Sequence, residues 1–130
     1  MSQAEREFPT PAINVETAPF WQAANQGELH LKKCEDCGEV HYYPRSNCPF
    51  CFSANTSWLT ASGNGEIYTF AIMRAAPIAY VIAYVSLPEG PTIMSNIVDC
   101  DFADVTIGAK VKLTFRQASD GQAIPVFTLA

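Results

Sequence analysis

The sequence predicts a mostly β chain in which a short N-terminal helix and a small metal-held ribbon precede a five-stranded barrel. Three observations carry this. Four cysteines stand as two Cys-x-x-Cys pairs, Cys34/Cys37 and Cys48/Cys51, with ten residues between the pairs. One stretch of helical spacing, Glu16–Gln26, precedes them. From Ser62 onward come five short runs rich in β-branched and aromatic residues, separated by turn signals and without a helical period.

Taken in order, Met1–Asn14 has little periodicity and carries Pro9 and Pro11, so it reads as a mobile tail or partner-binding arm. In the helix, Thr17 is the expected N-cap and Pro19 sits in the first turn, where its missing N–H costs nothing. Phe20, Trp21 and Ala24 share an apolar face, and Gly27 is the stop. Trp21 either docks this helix on the domain or faces a partner. Glu28–Lys32 alternates like a strand, Val40–Tyr43 returns as its partner, Pro44 breaks the pairing, and Trp58-Leu59 closes the ribbon.

Ser62-Gly63-Asn64-Gly65 is a turn before the strand Glu66–Met73. Ile78–Leu87 follows and ends at Pro88-Glu89-Gly90-Pro91; Thr92–Val98, Lys110–Arg116 and Pro125–Leu129 complete the set. Turns at 107–109 and 119–122 punctuate the last strands. Five such strands suit a small closed barrel, of which the OB-fold is the common form, and closure hides the edges that apolar strands would otherwise expose. The expected division is a flexible tail at 1–14, helix plus ribbon at 15–60, and barrel at 61–130.

The cysteine pairs are the chemical signature. Each pair puts two thiolates on one tight turn, and the intervening loop brings the turns together around a tetrahedral ion. Gly38, directly after Cys37, suits a knuckle whose next residue needs a positive φ. The loop is shorter than the roughly 15–20 residues of the common paired template, so a compact ribbon is expected. Zinc held by Cys34, Cys37, Cys48 and Cys51 is the preferred reading, with iron in a rubredoxin-like S₄ site as the nearer rival. Two disulfides are disfavoured because such crowded pairs make poor structural bridges and no secretory signal is visible. Four thiolates close the shell and leave no position for an activated water, so the ion is structural.

Charge narrows the partners. The chain has 130 residues, eight Lys and Arg against thirteen Asp and Glu, and a net charge of −5. Phosphate binding rests on basic side chains, and only Lys32-Lys33 are adjacent, so nucleic acid is not an expected partner despite strand aromatics such as Tyr68, Phe70, Tyr80 and Tyr84. No run reaches membrane-spanning length; Ile78–Val85 is a strand. An unpaired Cys100 and the lack of a signal peptide point to a reducing cytoplasm. Cys100 sits among Asp99, Asp101 and Asp104, whose charges raise its pKa, and is read as a packed, inert thiol. The three aspartates read as a solvated turn and not a cation loop.

No catalytic constellation is evident. His30 and His41 lie on ribbon strands, where His41 reads as solvated or next to the metal shell. Ser62 has no adjacent base, and Arg45 either braces the ribbon through a carboxylate or contacts a coenzyme A phosphate. Hydrophobic residues make up 48% and charged residues 16% of the chain, against a typical quarter charged, so part of the surface should be apolar and open to a partner.

In order along the chain stand Gly27-Glu28-Leu29, Cys34-x-x-Cys37-Gly38, Tyr43-Pro44-Arg45, Cys48-Pro49-x-Cys51, Ser62-Gly63-x-Gly65, Gly108-x-x-Val111 and Pro125-Val126-Phe127. This resembles the family of acyl-CoA-associated proteins with an N-terminal rubredoxin-like zinc ribbon and a C-terminal OB-fold, over about Pro19 to Leu129. The resemblance implies a non-catalytic subunit assembled with thiolase-like or lipid-transfer-protein-like enzymes. Those enzymes make or break carbon–carbon bonds of acyl-CoA thioesters, including retro-aldol cleavage of steroid side chains. The chain alone is then not expected to turn over acyl-CoA thioesters. A stand-alone acyl-CoA-binding module and a nucleic-acid-binding ribbon–barrel protein are the alternatives.

Overall fold

The computed structural model describes residues 6–130. One helix, α1 (Ala18–Asn25), leads into a three-stranded ribbon sheet of β1 (His30–Cys34), β2 (Val40–His41) and β3 (Thr56–Thr60), ordered β2-β1-β3 and antiparallel throughout. The barrel follows as β4 (Asn64–Met73), β5 (Tyr80–Ser86), β6 (Thr92–Ile97), β7 (Lys110–Gln117) and β8 (Ala123–Leu129). Its order is β4-β5-β6-β8-β7, closed by pairing of β4 with β7, and only β6 and β8 run parallel. This is the OB-fold arrangement the five strand signals predict.

Why these segments adopt these states is visible in the alternation. On β5, Val81, Ala83 and Val85 are buried and their neighbours are not, the period-2 pattern of a strand with one face in a core. Ile67, Ile93, Val111 and Phe127 meet them inside the barrel. Gly65 makes the closure possible, because a Cβ there would lie 2.5 Å from Val85 Cγ1 and 3.4 Å from the Ser86 carbonyl. Gly65→Ala is expected to overpack the barrel at a cost of about 1–3 kcal/mol. Thermal melting of the purified variant checks this; a melting temperature within about 2 °C of the parent would contradict it.

The helix start differs from the expected one. Thr17 makes no capping bond to the helix; Asn14 Oδ1 accepts the Thr17 N–H at 3.0 Å while Thr17 Oγ1 accepts the Asn14 N–H at 3.1 Å. The reciprocal pair is a capping box placed one turn earlier than the apolar spacing suggests. Its polar ends were hidden from a periodicity argument because Asn14 lies outside the apolar face.

Residues 1–5 of the expected tail lie outside the described residues. Where the sequence suggests a mobile arm, Phe8 is buried, forms a parallel bridge with Ala118, and Arg6 stacks its guanidinium 4.0 Å from the Tyr80 ring. One apolar side chain among polar neighbours carries that docking, which a search for periodicity does not register.

Helix, ribbon and barrel share a core. Phe20 is fully buried and Trp21 nearly so, against Leu29 and Leu31 of the ribbon side and the barrel interior. Tyr43 accepts the Trp21 indole N–H at 2.7 Å, and Gln122 Nε2 donates to the Trp21 carbonyl. Of the two readings of Trp21, docking of the helix is the one this structure has. The β1–β3 ladder runs on into the barrel entrance through Ala61 N–H to the Leu29 carbonyl at 2.8 Å.

Candidate metal centre and its surroundings

Cys34 ends β1 and Cys37 follows on the turn to β2, while Cys48 and Cys51 sit on the turn that leads to β3. Their four Sγ atoms lie within 4.8 Å of one another. Cys34 and Cys51 approach to 3.5 Å and Cys37 and Cys48 to 3.7 Å. A tetrahedron with metal–sulfur bonds of about 2.3 Å has edges of about 3.8 Å, so the donor set fits a tetrahedral ion. A disulfide needs about 2.05 Å between sulfurs, and all five cysteines are free.

The two knuckles are built alike. In the first, Cys34 Sγ accepts the Cys37 N–H at 3.4 Å and the Cys34 carbonyl accepts the Gly38 N–H at 2.9 Å. In the second, Cys48 Sγ accepts the Phe50 N–H at 3.4 Å and the Cys48 carbonyl accepts the Phe52 N–H at 2.8 Å. Gly38 takes a φ of 79°, as its position after the pair predicts, and Phe52 takes the same left-handed conformation at 67° without being glycine. The second knuckle therefore carries backbone strain that the first avoids.

Electrostatics favour a cation here. The Cys37 N–H draws the Cys34 thiol down to about 7. Cys37 is pushed up to about 12: the Glu39 N–H favours its thiolate, and desolvation with the neighbouring sulfurs outweighs that. Four thiolates this close cannot coexist without a positive charge among them, which a divalent ion supplies. Cys34 and Cys48 are buried, Cys37 and Cys51 exposed, so one side of the site faces solvent.

Around the site, Ser53 and Asn55 donate to Asp36 and fasten the two knuckles to each other. Glu16 accepts the Ser46 N–H at 2.6 Å. That bond lowers the Glu16 pKa, with a smaller contribution from the Arg45 charge, so the bond to this carboxylate comes from the Ser46 main chain and Arg45 adds only its charge. Lys32 lies 4.3 Å from the Trp58 ring and donates to Thr56.

The other sequence candidates resolve as follows. His41 is buried, not solvated, and desolvation followed by the Lys32 charge lowers its pKa. His30 has Thr60 Oγ1 at 3.3 Å and Glu28 at 3.6 Å, but both meet the same nitrogen, Nε2. A base that relays a proton needs its orienting carboxylate on the opposite ring nitrogen, so this grouping is not a triad. The Cys100 pKa is raised by burial first and by Asp101, Asp104 and Asp99 after that. Asp99 pairs with Arg116. Ser62 Oγ accepts the Asn64 N–H, turn chemistry as expected, while its own N–H goes to Glu89, a contact with no signature in the sequence. Among the described residues the four cysteines are the one group of metal-ligating side chains drawn together. No helix among them is long and apolar enough to cross a membrane.

Comparison with known proteins agrees with this architecture. Residues 21–57 match the family described as "ChsH2, rubredoxin-like zinc ribbon domain" and residues 58–116 that described as "ChsH2, C-terminal OB-fold domain". A "DUF35 domain-containing scaffold protein" of Methanothermobacter thermautotrophicus is 34% identical over 116 residues, covering 82% of this chain and 86% of that protein. The chain belongs to the DUF35 family. A solved DUF35 structure, "Ltp2-ChsH2(DUF35) aldolase", superposes with a TM-score of 0.81 at 30% identity, covering 92% of this chain and 98% of that one. The "Probable enoyl-CoA hydratase alpha subunit" of Thermomonospora curvata is 32% identical over 124 residues. That match takes in 92% of this DUF35 chain, which spans 39% of the length of the T. curvata protein. The resemblance read from the cysteine, Tyr-Pro-Arg and Ser-Gly-x-Gly motifs is thus to the family the chain belongs to.

Proposed function

We propose that this chain is a non-catalytic, zinc-binding accessory subunit that assembles with a thiolase-like enzyme acting on acyl-CoA thioesters, in carbon–carbon bond cleavage or formation. The observation that carries the reading is an uncharged, largely apolar stretch of the outward barrel face. Tyr84 on β5 stands between Thr69 of β4 and Met94 of β6, with Ile82, Ala71 and the bulge residue Tyr68 around it. Tyr68, Met94 and Tyr84 are 66%, 59% and 45% exposed. An aromatic–methionine surface of this kind is costly in water and typical of a contact made with another protein. The other support is the lack, among the described residues, of a nucleophile beside a correctly oriented base. The name of the superposable structure, "Ltp2-ChsH2(DUF35) aldolase", supports this reading.

Zinc at Cys34, Cys37, Cys48 and Cys51 would serve folding and not chemistry in this reading, since four protein ligands leave it no open position. The hydratase-subunit name of the T. curvata relative favours a second reading, a subunit of an acyl-CoA hydratase. Co-expression with a neighbouring thiolase-like or hydratase-like gene distinguishes them. The enzyme that co-elutes with this chain on size exclusion, and whose activity falls without it, is the partner. Tyr84→Glu should leave the chain folded, because the residue is exposed, and should abolish co-elution by placing a charge in the contact. Full solubility and activity of both enzymes without this chain would end the accessory reading.

A further inference from the structure

We infer that the free edge of β2 is a strand-addition site for an extended, basic segment of a partner protein. β2 is an outer strand of the ribbon sheet and pairs only with β1. In an antiparallel ladder, the main-chain groups of successive residues point alternately toward and away from the neighbour. The Glu39 carbonyl accepts the Cys34 N–H at 2.9 Å, and His41 stands opposite Lys32. That register turns the main chain of Glu39 and His41 toward β1. It leaves the N–H and C=O of Val40 and the N–H of Tyr42 on the outer edge, where they make no hydrogen bond within the described residues. The edge is short, and Val40-His41-Tyr42 carries no lysine or proline to block it.

The edge forms one wall of a cleft of about 490 Å³, and residues Glu89 to Thr92 of the β5–β6 turn form another. An added Cβ at Gly38 or at Gly90 would meet nothing within 4 Å, so both walls are clear. The outward edge, residues 40–42, is only about 10 Å long when extended, because Gly38 takes a left-handed φ and turns the chain before it.

Charge names the occupant. The cleft is lined by Glu39 and Glu89 and by no lysine or arginine. The Ser62 N–H, 2.8 Å from Oε2, holds the Glu89 carboxylate in place, while Oε1 is buried without a hydrogen-bond partner among the described residues. A carboxylate fixed in this way on one cleft wall, with Glu39 on the other, favours a lysine or arginine on an incoming strand. A second copy of this chain is the poorer occupant, because edge-to-edge pairing would bring acidic residues together. Main-chain bonds to Val40 and Tyr42 would supply affinity and the basic side chains specificity. The inference does not depend on which enzyme the barrel face meets.

The test uses the full, metal-loaded chain labelled with ¹⁵N and three blocked pentapeptides in which valine alternates with lysine, glutamine or glutamate. The lysine peptide is expected to shift the Val40 and Tyr42 amide signals and slow their hydrogen exchange, with salt weakening the effect. Val40→Pro removes the outward N–H without touching the β1 ladder, and should weaken binding at least about tenfold. The double variant E39Q/E89Q should lose the preference for the lysine peptide with no change in metal content, and it decides the matter if Val40→Pro does not fold. The proposal is overturned if no peptide perturbs these amides, if all three bind alike, or if the amides shift with protein concentration in the absence of peptide.

Discussion

Cys48→Ser is expected to empty the metal site and melt the ribbon. The physical reason is that this sheet has little else to hold its outer half: β2 is two residues long, and the knuckles contribute no apolar side chain to the core apart from the buried Cys34 and Cys48 themselves. Metal binding to such sites contributes roughly 10–16 kcal/mol of apparent free energy at neutral pH, as large as the whole stability of an ordinary domain. Serine is a much weaker ligand than thiolate, and at position 48 its hydroxyl would be buried. Cys51→Ser, at an exposed ligand, should be the milder of the two. Elemental analysis is expected to find one zinc per parent chain and far less in the variant. Proteolysis should then cut first between 35 and 57. Parent protein with neither zinc nor iron, or a Cys48→Ser ribbon as protease-resistant as the parent, would refute a structural metal.

Phe20→Ala should be nearly as damaging. The ring is fully buried, with Trp21 at 4.8 Å, Tyr43 at 5.4 Å and Tyr42 at 5.8 Å between centroids, and the Trp21 contact is edge-on. Truncating a buried phenylalanine costs about 3–5 kcal/mol from lost transfer energy and the cavity left behind. Here the cavity would open where helix, ribbon and barrel meet, so all three elements should loosen together. Denaturant unfolding measures the loss, and a change below about 1 kcal/mol would show that α1 is not integral to the core. The partner-facing reading of Trp21 is removed by the same burial, since its ring is covered while the chain is folded.

Local signals were sufficient for most of the fold. Cysteine spacing located the four-cysteine cluster because two Cys-x-x-Cys turns have few ways to meet. Runs rich in β-branched and aromatic residues, bounded by turn signals, located all five barrel strands. Gly38 marked a knuckle that needs a positive φ, and the structure has it there. These features are legible because the cause lies within a few residues of the effect.

What the sequence by itself determined is therefore the parts list: a four-thiolate site, a short apolar helix, five barrel strands, and the family-level expectation of a ribbon joined to an OB-fold. The tertiary structure decided everything that depends on pairs distant in the chain. Phe8 lies against Ala118, Ser62 binds Glu89, and Trp21 is covered by Tyr43 and Gln122, contacts for which neither partner carries a local signature. The direction of Trp21 and the burial of His41 follow from closure of the core, not from the periodicity of the helix and strand that carry them. The outward edge of β2 is likewise set by its register with β1 and by the placing of the β5–β6 turn across from it. Periodicity states which face of a strand is apolar; only packing states what that face, or that edge, meets.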